Sequence, residues 1–198
     1  DATDGNFEIQ LATGCNVSQA FNLIDSDLTS CEASGVAVSD ADDLIIYEVY
    51  DEKGGSGGVI TLYNRTGTSI DLSNYSIKRA GNYGGTYLTI ANLTGNIANG
   101  AVAVIGVSSS LCGYTPTGNG SFGVTGFNGN DGFRLMKGSV IIDDVHAPNY
   151  VGYYLKRKNT NLNPNTTFNG SEWTDQSLVQ NECLSGVANQ PIIAYSPI

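Results

Sequence analysis

The residues with the clearest catalytic potential lie in one short stretch. His146 is the only histidine, and Asp143 and Asp144 come just before it. A Ser-His-Asp arrangement would have to use this histidine with one of the two carboxylates. The aspartates are neighbours in a strand-like segment, so their side chains point to opposite faces and cannot act on one substrate as a glycosidase pair does. Glu48 is a lone carboxylate in an apolar segment. We therefore predict that the chain is not an enzyme.

An acidic cluster is the candidate cation site. Asp40, Asp42 and Asp43 lie together in "SDADD". Calcium takes about six to eight oxygen ligands from carboxylates and carbonyls, which these residues can begin to supply. The alternative is a solvated acidic linker, because the spacing is not that of an EF-hand. No other cofactor is expected, since a single histidine and the lack of a Cys-x-x-Cys pair argue against zinc.

The four cysteines are Cys15, Cys31, Cys112 and Cys183. Four cysteines in an oxidising compartment indicate two disulfides, with three possible pairings. We favour a local Cys15–Cys31 loop and a long-range Cys112–Cys183 bridge. Free buried thiols are the alternative.

Seven Asn-x-Ser/Thr triplets predict N-glycosylation. This number is about double what chance gives for a chain so rich in Asn, Ser and Thr. If the source does not glycosylate at this triplet, the asparagines are polar turn residues. The candidate positions are Asn16, Asn64, Asn74, Asn92, Asn119, Asn165 and Asn169.

The charge balance restricts the partners. The formal net charge is -10, and charged residues make up 14% of the 198 residues, against roughly 25% in soluble domains generally. Such a surface repels nucleic-acid phosphates. No apolar run approaches the ~20 residues of a membrane helix. Together with the cysteines, the triplets and a first residue other than Met, this favours a secreted, extracellular or cell-surface protein.

Short strand signals separated by Gly- and Asn-rich turns fill the middle of the chain. Gly138-Ser139 between two of them predicts a tight hairpin. Almost no helix is indicated, so the pattern favours an antiparallel sandwich or barrel. We expect an N-terminal extension (1–40), a sandwich (41–160) and a C-terminal extension (161–198). The predicted strands are 43–50, 58–64, 75–79, 86–91, 101–107, 132–138, 139–145 and 153–158.

Five motifs in this region resemble, in the same order, the lamin tail domain family. The segment from Leu62 to Ile77 is similar to the family's strand, "DLSGY" turn and strand. The segment from Phe127 to Val145 is similar to "FNGDDAxxLxxxGxxIDxxG". The resemblance implies an all-β, Ig-like antiparallel β-sandwich of the kind also found in secreted bacterial and archaeal proteins, where such modules accompany nucleases and phosphatases. The motifs are "DLIIYEVY", "ITLYNRTGTSIDLSNYSIKR", "LTGNIANGAVAVIGV", "FNGNDGFRLMKGSVIIDDV" and "YYLKRK".

Two strand-like segments lie outside this core, near the chain termini. They place apolar side chains at Phe7, Ile9, Leu11, Ile192, Ile193 and Tyr195. Such strands can pair with a neighbouring molecule, so the expected function is that of a structural subunit that assembles with copies of itself into a filament or surface layer. The alternative is a glycan- or protein-binding adhesion module. Its sugar-stacking face would use Tyr83, Tyr87, Tyr114, Tyr150, Tyr153 and Tyr154.

Overall fold

The computed structural model describes residues 42–54, 57–106, 113–122, 126–158 and 162–179. No helix among them is long and apolar enough to span a membrane. Two single 3-10 turns, Leu72–Asn74 and Gly170–Glu172, interrupt a chain of strands. The strands are β1 Ile45–Asp51, β2 Gly58–Tyr63, β3 Ile70–Asp71, β4 Tyr75–Ala80, β5 Leu88–Asn92, β6 Asn96–Ile97, β7 Val102–Gly106, β8 Gly132–Lys137, β9 Val140–His146, β10 Tyr153–Arg157 and β11 Trp173–Ser177.

Two antiparallel sheets enclose the main core. One has the order β11-β10-β1-β2-β7 and the other the order β5-β4-β8-β9, while β3 and β6 form a small separate pair. The core combines side chains of both sheets, such as Ile60 and Leu62 from the first and Leu135 and Val145 from the second. This arrangement confirms the predicted Ig-like β-sandwich.

The central strand β1 is buried along its whole length, as the apolar run predicts. Ile46 and Val49 belong to the main core, whereas Ile45 and Tyr47 belong to a separate apolar cluster. A register shift between Ile46 and Glu48 inserts one residue into the alternation. For this reason two residues three positions apart both face the main core.

Local turn chemistry fixes the links between strands. Asp71 Oδ1 accepts a hydrogen bond from the Ser73 N–H at 2.9 Å, and Leu72 beside it is fully buried. This Asx cap is the one expected from "IDLSN". Gly138 has a φ of 59° in the β8–β9 hairpin, a conformation that favours glycine. The hairpin prediction is confirmed.

The sandwich continues beyond the expected boundary at residue 160. β11 pairs with β10 from Tyr153↔Ser177 to Arg157↔Trp173 and forms an edge of the five-stranded sheet. Its sequence, WTDQS, buries only Trp173. An edge strand with a solvated face has little apolar alternation, so the sequence pattern missed it.

A buried carboxylate lies at the end of β1. Asp51 is 3% exposed, and its Oδ2 accepts a hydrogen bond from the Gly152 N–H at 2.7 Å. Burial is the dominant cause that raises the pKa of Asp51 from 3.8 to about 6, and the nearby Asp131 carboxylate adds to the increase. In the unfolded chain an aspartate titrates near pH 4. The folded state therefore binds more protons between about pH 4 and 6, and its stability rises as the pH falls through that window.

We expect Asp51 to add on the order of 2 kcal/mol to the free energy of unfolding between about pH 7 and pH 4.5. Asp51→Asn keeps an acceptor for the Gly152 N–H but cannot titrate, so this gain should disappear. The exposed Asp42→Asn is the matched control and should keep it. Urea unfolding across this pH range measures the difference. Parallel pH profiles for Asp51→Asn and the parent would contradict the assignment.

Candidate binding site

A cavity of about 250 Å³ opens along one side of the sandwich, where β9 of one sheet and β10 and β11 of the other approach each other. We call it the seam cavity. Its walls come from the end of β9 and the following loop, from β10 and β11, and from the loop that leads into β11. The described lining residues are His146, Ala147, Pro148, Asn149, Leu155, Phe168, Gly170, Trp173 and Asp175.

Aromatic rings form a continuous row along this cavity. The Phe168 and Trp173 rings lie 6.5 Å apart at an interplanar angle of 32°. The His146 ring meets Phe168 edge-on at 5.7 Å and 76° and stacks on Tyr83 at 4.3 Å and 14°. The Phe168 ring also lies edge-on to Tyr83, with the ring centroids 6.3 Å apart. Edge-on and offset contacts of this kind are the favoured geometries of aromatic pairs. The row therefore gives the cavity a defined apolar surface.

His146 is placed for packing. Its Nε2 lies 2.7 Å from the Asn130 Oδ1, and burial lowers the pKa of the imidazole. The ring is therefore neutral at neutral pH. The two preceding aspartates go to separate partners, as the alternation along β9 predicts: Asp143 binds Arg157, and Asp144 binds Arg134.

The rim of the cavity carries polar groups. Asp175 is exposed on β11, and its Oδ2 accepts a hydrogen bond from the Tyr150 hydroxyl at 2.9 Å. Burial and this hydrogen bond raise the pKa of Tyr150 to about 12. Asn149 is also exposed. Among the described lining residues none is Lys or Arg, so the polar edge has a negative potential.

A buried arginine supports the inner wall. The Arg157 Nη2 lies 2.7 Å from an Asp143 carboxylate oxygen, and Nη1 lies 2.9 Å from the Glu172 Oε2. The guanidinium also covers one face of Trp173, with Cζ 4.4 Å from the ring centroid. Buried charges of this kind persist only when they are paired and hydrogen-bonded. The network thus fixes Trp173 against the sandwich.

The loop that carries Phe168 is tied to the same network. Glu172 Oε1 accepts hydrogen bonds from the Asn165 and Asn169 side-chain amides, both at 3.2 Å. Each asparagine also accepts from a backbone N–H two residues on, Thr167 and Ser171 respectively. These Asx turns account for the Asn-x-Thr and Asn-x-Ser spacing. The sequence shows these two triplets shortly before Glu172 and Trp173, but it does not show that both asparagine side chains bond to Glu172.

Residues 37–149 match the family model described as Lamin Tail Domain. The chain belongs to the lamin tail domain family. No curated protein and no solved structure matches it. The lamin tail domain is an Ig-like family of binding and structural domains rather than of enzymes. The match ends within the loop at Asn149, so the wall formed by β10, β11 and Phe168 lies beyond the matched part of this lamin tail domain.

The structure places the candidate glycosylation sites in different environments. Asn64 is fully buried, and its Nδ2 donates to the Thr68 and Ile97 carbonyl oxygens. A glycan needs that same nitrogen, so the folded structure is incompatible with the prediction for Asn64. Asn74 and Asn92 are exposed. Asn119 donates through Nδ2 to the Thr94 carbonyl oxygen.

The acidic cluster has a different use at its described end. Asp43 Oδ2 pairs with the Lys137 Nζ at 3.0 Å, and Oδ1 accepts hydrogen bonds from the Tyr75 hydroxyl and the Leu44 N–H. Asp42 is exposed. The described residues contain no group of three or more His, Cys, Asp or Glu that could hold a metal ion. Asp40 lies outside them, so the calcium site stays a prediction without structural support.

The six tyrosines do not form the single face expected for stacking on sugars. Tyr114, Tyr153 and Tyr154 are buried, while Tyr83 and Tyr87 lie half-buried in the β4–β5 loop and Tyr150 in the β9–β10 loop. Alternation along strands cannot show which face a second layer covers. The face prediction is wrong, and the aromatic surface at the seam uses other residues.

Several predicted residues fall outside the part of the chain that the structure describes. They are all four cysteines, Asn16 and the six terminal apolar residues, namely Phe7, Ile9, Leu11, Ile192, Ile193 and Tyr195. The disulfides and the assembly strands therefore stay predictions.

We expect Arg157→Met to lower the free energy of unfolding by about 3–5 kcal/mol, because it leaves Asp143 and Glu172 buried without their cation. Lys158→Met is the matched control. Lys158 is exposed, and its side chain donates only to the Ser171 carbonyl oxygen among the hydrogen bonds described, so its replacement should cost less than about 1 kcal/mol. Urea denaturation followed by the fluorescence of Trp173 compares the two. Equal stabilities would refute the role given to Arg157.

Proposed function

We propose that this lamin tail domain is a non-catalytic binding module of a secreted protein and that the seam cavity is its ligand site. The observation that carries the proposal is a cavity lined by aromatic rings whose walls are held by buried charges. Ligand sites in proteins are concave and mostly apolar, with a few placed polar groups. The seam cavity combines Phe168 and Trp173 with Asn149 and Asp175 at its rim.

Rigidity of the walls favours binding. Trp173 is 5% exposed and lies against Arg157, and the Phe168 loop is attached through Glu172. Side chains that are already ordered lose little conformational entropy when a ligand binds. A small cavity can therefore have measurable affinity.

The chemistry of the same residues supports binding over catalysis. A general base needs a pKa near the working pH and free access to the substrate proton. His146 has its Nε2 against Asn130, and Asp143 is fully buried against Arg157. Neither group faces the cavity in a reactive state.

Ligand binding can be followed at two specific residues, because the only tryptophan and the only histidine of the sequence both line the cavity. Three ligand classes are titrated into the protein: small neutral saccharides, aromatic peptides and organic cations. We expect at least one class to shift both the Trp173 fluorescence and the NMR signals of the His146 ring protons. Phe168→Leu should weaken that binding several-fold. Leu88→Ala, at an exposed position in β5, is the control and should not. The proposal would be contradicted if none of the three ligand classes changed either signal.

Self-assembly through the terminal strands is the second candidate function. Its support is the apolar, strand-like sequence at residues 7–12 and 191–195. We expect removal of residues 1–12 or 190–198 to abolish filaments or sheets seen by electron microscopy while circular dichroism keeps its β-sheet signal. Intact assemblies from both truncated chains would contradict this function.

A further inference from the structure

The electrostatics of the seam cavity distinguish between ligand classes. Its rim carries the Asp175 carboxylate, and its histidine is neutral. The described lining contains no cationic side chain, and the whole chain has a formal charge of -10. An anionic ligand would meet the Asp175 carboxylate and find no cationic side chain in the described lining. A cationic ligand would be attracted both by the rim and by the protein as a whole.

The aromatic walls point the same way. A cation within about 6 Å of an aromatic ring centroid is attracted by the negative face of the ring. This protein already uses that interaction with its own cations, at Arg157 over Trp173 and at Arg134 over Tyr87, 3.8 Å from the centroid. Among the described residues no arginine or lysine makes such a contact with Phe168, which is half-buried and therefore more exposed than Trp173.

We propose that the seam cavity binds a compact organic cation, an alkylammonium group, with its charge between the Phe168 ring and the Asp175 carboxylate. This inference rests on the proposed function and adds the ligand class. The apolar floor formed by Leu155, Ala147 and Pro148 suits the methyl or methylene groups that surround the nitrogen. A quaternary headgroup and a lysine side chain share this chemistry.

Choline and 3,3-dimethylbutan-1-ol provide the decisive comparison, because they have nearly the same shape and differ in charge. Both are titrated into the full-length protein at constant ionic strength, with Trp173 fluorescence and the His146 ring protons as readouts. We expect choline to bind at least about fivefold more tightly, the ratio that corresponds to roughly 1 kcal/mol of cation–π and charge attraction. N-acetyl-lysine methylamide, titrated in the same way, distinguishes a primary ammonium from a quaternary one.

Asp175→Asn tests the carboxylate without changing its shape. The asparagine oxygen can still accept from the Tyr150 hydroxyl, so the rim should keep its geometry. We expect choline binding to weaken several-fold and binding of the neutral alcohol to stay unchanged. Asp42→Asn removes one exposed charge elsewhere and serves as the control for the effect of net charge.

The outcomes separate this inference from the proposed function. Equal affinities for choline and the alcohol would overturn the cation proposal. Binding of methyl glucoside or an aromatic peptide without binding of either cation would also overturn it, and would leave the seam cavity as a ligand site. If no probe moves either reporter, both proposals fail.

Discussion

The buried guanidinium of Arg157 is the interaction on which the described structure most depends. It joins both sheets: Arg157 lies on β10, its ion-pair partner Asp143 lies on β9, and both contact Ile46 of β1. The Arg157 Nε donates to the Ile46 carbonyl oxygen, and the Ile46 N–H donates to Asp143. The Arg157–Asp143 ion pair therefore satisfies both backbone polar groups of Ile46 and connects the two sheets, whose strands do not hydrogen-bond to each other.

A buried ion pair contributes little net stability by itself, because both charges lose their hydration. Its value here is geometric. Asp143 also accepts from the Asn165 N–H, and Glu172 accepts from two asparagine amides. These bonds have strict directions, so they define the path of the chain from Asn165 to Glu172, just before β11, more sharply than apolar packing would. The shape of the seam cavity follows from that segment.

The family match covers only part of the cavity lining, from His146 to Asn149. The matched residues 37–149 form most of the two sheets, including β1, β2, β4, β8 and β9. The aromatic wall and Asp175 come after them. Family membership thus accounts for the scaffold and for one wall of the proposed ligand site, while the other walls depend on residues that follow the match in sequence. A scaffold of this kind can acquire a site without altering its core.

Local patterns in the sequence determined much of the fold. Alternation and turn residues were enough to predict eight of the strands, the Asp71 cap and the Gly138 hairpin, because these depend on interactions within a few residues. They were not enough to predict β11, because its sequence is mostly polar and its strand conformation is stabilised by backbone hydrogen bonds to β10.

Only the tertiary structure decided what the polar residues do. Asn64 has the same triplet as the exposed asparagines, yet it is buried because the Thr68 and Ile97 carbonyl oxygens need its amide. Nothing in the sequence around Arg157 and Glu172 indicates that they are buried. The ion pair of Arg157 with Asp143 forms only when β9 of one sheet packs against β10 of the other, and its ion pair with Glu172 forms where β11 pairs with β10. The physical reason is that charge pairing and hydrogen bonding act through space at about 3 Å. The sequence specifies which groups are present, and the packing of the sheets determines which of them meet.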